Sequence, residues 1–91
     1  VIRILKFPLR PGVTEFETAD EPRFLAVGVQ QGDQVVVWVE AVVGTGVVSR
    51  VATVMTGEEP PPDSEYVGTA QLQSVPIVVH AYRQIGGGPA R

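Results

Sequence analysis

The sequence predicts an all-β fold, a single-domain β-sandwich or partly open β-barrel of about seven short, mostly antiparallel strands. Three observations lead there. Val, Ile and Thr occur 18, 4 and 6 times, so 28 of 91 residues are β-branched, and such side chains are stiff at χ1 and pack well on a pleated surface. No window carries the i, i+3, i+4, i+7 apolar stripe of an amphipathic helix, and Pro or Gly interrupts most candidates. Turn residues recur roughly every eight to twelve positions, the interval of small sandwiches and barrels. A chain of 9.7 kDa buries roughly 60–65% of its unfolded surface, enough for one core. The expected division is a domain over residues 1–85 and a Gly-rich tail over residues 86–91.

The first strand is expected over residues 2–7, ended by Pro8 and the Pro11-Gly12 pair, which remove donors and fix φ. Residues 14–18 follow as a short half-exposed edge, with Phe16 between Glu15 and Glu17. After Asp20-Glu21-Pro22, Leu25, Val27 and Val29 alternate with Ala26 and Gly28, and Gln31-Gly32-Asp33 supplies residues that tolerate positive φ in a tight turn. Residues 34–43 are apolar on both faces. Val35, Val37, Val39 and Val43 oppose Val36, Trp38 and Val42, which marks the centre of the fold and makes Trp38 an expected core anchor. Residues 47–56 form a fifth strand. Pro60-Pro61-Pro62 then favours polyproline II geometry over pairing, and residues 66–72 and 75–84 make a last hairpin across Gln73-Ser74.

Composition narrows function. Zero Cys excludes a disulfide framework, a thiolate nucleophile and a Cys-based metal site. A net charge of −3 has the wrong sign for wrapping a polyanion by counterion release, so nucleic acid is disfavoured as a partner. No apolar run approaches the roughly 18–20 residues that cross a bilayer, and the start is too short and too charged for a secretory h-region. A soluble, unsecreted protein without a membrane role is expected.

Three blocks together are distinctive: Lys6-Phe7-Pro8-Leu9; Val27-Gly28-Val29-Gln30-Gln31-Gly32 before a strand holding Trp38; and Tyr66-Val67-Gly68-Thr69-Ala70-Gln71-Leu72 leading to Val79-His80-Ala81-Tyr82. In this order they resemble a family of small proteins encoded by tailed bacteriophages and prophages, whose function is unassigned. The resemblance covers most of the chain. The family usually reads Gly-His-Pro before its acidic loop, whereas Gly57 is followed here by Glu58-Glu59-Pro60. It implies phage origin, residence in the host cytoplasm during infection or in the virion, and an initiator at the position of Val1, as a GTG start read literally would give.

Candidate sites are few. His80 is the single histidine, and no serine sits in a Gly-x-Ser-x-Gly elbow beside which it could act; a hydrogen-bonded structural role is expected, on one face with Val78 and Tyr82. Glu58, Glu59, Asp63 and Glu65 crowd an acidic loop, but Pro60, Pro61 and Pro62 prevent it from folding around a cation. Arg3, Lys6, Arg10 and Arg23 could form a basic surface for single-stranded nucleic acid on an open barrel, diluted by Glu15, Glu17, Asp20 and Glu21. No catalytic residue, cofactor or metal is assigned. The expected function is non-enzymatic protein–protein binding, to a host protein or virion component or as a homo-oligomer. Its contact residues are expected among Glu58, Glu59, Pro60, Pro61, Pro62, Asp63, His80 and Tyr82. Exposed strand edges and a charge-poor, Val-rich surface point the same way, and the tail is expected to hold another chain or a sheet edge.

Overall fold

A computed structural model describes residues 1–85; the expectations for the tail concern residues outside that range. Seven strands build two stacked antiparallel sheets: β1 (Ile2–Leu9), β2 (Gly12–Thr18), β3 (Arg23–Gln30), β4 (Gln34–Val42), β5 (Val47–Met55), β6 (Ser64–Gln71) and β7 (Val78–Gln84). One sheet has the order β1-β4-β3 and the other β2-β5-β7-β6. The sandwich, rather than a closed barrel, is what forms.

The core lies between the sheets. Leu9, Val35, Val37 and Val39 from the three-stranded sheet meet Phe16, Val51 and Ala81 from the four-stranded one, with Leu5, Phe7, Phe24, Val27, Val29, Val67 and Leu72 packed around them. β4 is the centre, as its double-faced apolar pattern predicts: Val35, Val36, Val37, Val39 and Ala41 are all buried. Along one flank β3 and β6 approach so closely that a Cβ at Gly68 would lie 3.1 Å from Val27 Cβ.

Strand boundaries shift where proline lies at an edge. Pro8 and Leu9 continue β1, paired with Val36 and Val35, because an edge strand accepts a residue without N–H on its unpaired side. β7 starts at Val78 rather than residue 75. Leu72 N–H donates to Ile77 O and Ile77 N–H to Val75 O, so residues 72–77 close as a loop wider than the expected two-residue hairpin. The 3₁₀ turn Gln31–Asp33 has the expected positive φ at Gly32 (76°) and Asp33 (58°).

Trp38 departs from expectation. It sits opposite Lys6 on β1 and Ala26 on β3, on the outer face of the three-stranded sheet and outside the core cluster. Its ring lies over Gly28, where a Cβ would fall 2.9 Å from the indole. Period-two alternation fixed this: Val35, Val37 and Val39 occupy the inward positions of β4, so even-numbered Trp38 must point out.

The two ends of the sandwich differ. At one, residues 19–22 and 43–46 pack together: Ala19 N–H donates to Val42 O at 2.9 Å, and Val42 N–H to Asp20 Oδ1 at 2.9 Å. Arg83 joins this end, its guanidinium 4.8 Å from the Phe24 centroid and 2.8 Å from Glu21. At the other end lie the β1–β2 turn, the 3₁₀ turn and the 72–77 loop. There Asp33 clasps the sheets together. Its carboxylate accepts the Gln73 N–H at 2.6 Å, the Ser74 N–H at 3.2 Å and the Ser74 hydroxyl.

The Ser74 hydroxyl first, and the Gln73 N–H next, hold the Asp33 carboxyl below its ordinary value. A depressed folded pKa stabilises the fold above the unfolded value and loses that contribution as pH falls through the folded one. Asp33→Asn, which tolerates the same positive φ, is expected to melt lower than the parent at neutral pH. The gap should close on acidification below the aspartate range. Thermal melts across pH 7 to 2 check this; a gap independent of pH would remove Asp33 as the titrating clasp.

Candidate functional site

The triple proline has a topological reason. β5 and β6 run parallel with β7 between them, so the connection must return along the sheet. β5 ends at Met55 opposite Val79, and β6 starts at Ser64 opposite Gln84. Five residues along β7 at ~3.3 Å each and two strand spacings across make about 19 Å. A turn closed by Glu58 N–H donating to Met55 O opens this connection, and residues 56–63 span the distance. Glu58 Oε1 accepts the Met55 N–H at 2.6 Å, Ser64 Oγ donates to Pro61 O at 2.6 Å, and Asp63, at φ 51°, accepts the Ile85 N–H through its carbonyl. Among the described residues no three acidic or histidine side chains gather into a metal-binding group.

His80 is half-buried on the outer face of the four-stranded sheet. Its Nδ1 lies 2.9 Å from Thr69 Oγ1 and its Nε2 2.9 Å from Thr56 Oγ1. Tyr66 Oη extends the chain to Thr69 at 2.5 Å, and the Tyr66 ring meets Tyr82 edge-on at 5.6 Å. A hydroxyl can donate or accept, so either imidazole tautomer is satisfied. No carboxylate hydrogen-bonds the ring among the described residues. Both ring nitrogens of His80 are thus hydrogen-bonded within the chain. Thr56, Thr69 and Tyr66 carry no local motif; the β6–β7 register, which sets Thr69 opposite His80, and the β5–β7 register, which sets Val54 opposite it, bring them together.

The outer face of the three-stranded sheet is more apolar. Rows run Ile2–Val42, Ile4–Glu40–Arg23, Lys6–Trp38–Ala26 and Pro8–Val36–Gly28. Val36 is only 2% exposed although it points outward. Pro8 and Gly28 flank it on the neighbouring strands, and Lys6 Nζ reaches across the sheet to Gln30 Oε1 at 2.7 Å. Ile2 and Ile4 are 63% and 66% exposed. They lie on β1, which among the described residues pairs with β4 alone, leaving the other edge of the strand there as a row of main-chain donors and acceptors. The basic residues do not form one patch: Arg23 pairs with Glu40 at 3.1 Å, Lys6 is engaged, and Arg3 and Lys6 occupy opposite faces by alternation.

A family model described as a domain of unknown function (DUF7352) matches residues 1–90. No curated protein and no solved structure matches the chain.

Proposed function

We propose, on the premise that the chain belongs to the DUF7352 family, that it is a non-enzymatic protein-binding module which pairs its β1 edge with another chain, first of all a second copy of itself. The β1 edge, uncovered among the described residues and flanked by exposed Ile2 and Ile4, carries this. An antiparallel pair keeps facing residues on the same side of the sheet, so a two-fold contact opposes residues of equal parity. Centring it on Ile4 sets Ile4 against its own copy, Arg3 against Leu5 and Ile2 against Lys6. Centring it on Arg3 would oppose two cations, which is unfavourable. The Ile4-centred pair makes one six-stranded sheet and doubles the apolar strip.

The resemblance to small tailed-phage proteins supports placing this module as an accessory protein in infected host cytoplasm, host-directed or self-assembling; mass spectrometry of purified particles separates that from a virion component. Light scattering on a size-exclusion column is expected to give twice the 9.7 kDa chain mass at high concentration. Ile4→Lys sets like charges on the two-fold and should give the monomer with an unchanged melting temperature, since Ile4 is exposed. A parent that stays monomeric, or a dimer indifferent to this change, overturns the proposal.

A further inference from the structure

The sandwich is unfilled at the end held by Asp33. A cavity of about 520 Å³ opens there between the sheets, walled by Leu9, Val35, Met55, Leu72, Ile77 and Val79. That volume falls within the roughly 300–1,000 Å³ of small-molecule sites, and its lining is largely aliphatic. Three charged residues, Arg10, Asp33 and Glu58, also line it. Asp33 holds the 72–77 loop with both carboxylate oxygens, and Glu58 accepts the Met55 N–H through one of its two. Arg10 makes hydrogen bonds through its backbone only, Arg10 N–H to Thr14 Oγ1 and Thr53 Oγ1 to Arg10 O. Its side chain has no hydrogen-bond or ion-pair partner among the described residues.

We infer that this cavity binds an anionic amphiphile, with an apolar chain between the sheets and a carboxylate head on the Arg10 guanidinium. The chain displaces water from an aliphatic lining, and the guanidinium offers a fork of donors that matches a carboxylate in two parallel bonds. The site lies at the sandwich end and does not depend on β1 pairing.

The test uses decanoate below its micellar concentration as the probe, read by calorimetry and by amide chemical shifts of the full chain. Decanoate is expected to bind once per chain, to shift the Leu72, Ile77 and Val79 amides, and to bind about tenfold more tightly than decanol, as one charge-assisted bidentate contact would give. Arg10→Gln should bring decanoate down to the affinity of decanol without altering the melting temperature. Ile77→Trp, at an exposed lip position, should block both ligands while the fold persists. Equal affinity of decanoate and decanol, shifts confined to the outer sheet faces, or no binding by a folded chain would each overturn the proposal. The oligomeric state is measured separately, so failure here leaves the β1 contact standing.

Discussion

Phe16→Ala is expected to lower the unfolding free energy by about 3–5 kcal/mol, the usual cost of deleting a core phenyl ring. Phe16 is 8% exposed and comes from β2, yet its ring partners belong to the opposite sheet. It stacks on Phe7 of β1, with centroids 4.1 Å apart and planes 11° from parallel, and tilts against Phe24 of β3 at 6.0 Å. Truncation removes the contact that joins the two sheets, and rigid strands on either side limit collapse of the void. Domains of this size hold roughly 5–15 kcal/mol in all, so the variant should be marginal at 37 °C. Urea titration of parent and variant measures it. Phe16→Leu, which keeps most of the volume, should cost about 1.5 kcal/mol or less; equal losses for the two variants would show that the ring stack contributes nothing beyond bulk.

Gly68→Val is expected to cost about 1–3 kcal/mol by overpacking. Gly68 has no positive φ to protect, so the penalty is spatial. A Cβ there lies 3.1 Å from Val27 Cβ, 3.2 Å from its Cγ2 and 3.4 Å from its backbone N, where β6 closes on β3. Neither strand can retreat cheaply, because each is hydrogen-bonded along its other edge to β7 or β4. Val27→Ala in the same chain should recover part of the loss, as contacting residues couple non-additively. Strictly additive double-mutant stability would place the strain somewhere other than the β3–β6 contact.

Much of the fold was legible because it depends on local chemistry. A run of residues alternating at period two has only a strand to form, and a run apolar at both parities, residues 34–43, has only a central position to occupy. The positive-φ turn at Gly32 and Asp33 was legible for the same reason, since few residues accept that backbone. Trp38 was not. Its size and its apolar neighbours suit a core, and its actual place follows from which parity of β4 faces the second sheet. Partners in the other sheet decide that. The acidic proline loop was legible as unpaired, but the distance it spans depends on β7 inserting between β5 and β6, a pairing absent from the loop's own residues.

The candidate surfaces divide the same way. His80 and Tyr82 share a face by counting alone, whereas the hydroxyls of Thr56 and Thr69 reach the ring only through strand register and a crossover separated by 24 and 11 positions in the chain. The sequence by itself determined the strand content, the positive-φ turn at Gly32 and Asp33, the central strand and the absence of any thiol chemistry, because each is set by side-chain stereochemistry within a few residues. Tertiary structure alone decided that, among the described residues, β1 keeps an open edge beside Ile2 and Ile4 and Arg10 lines a largely aliphatic cavity without a side-chain partner. Both are properties of which strands pair and which faces stack, and those free energies belong to contacts between residues far apart in the chain.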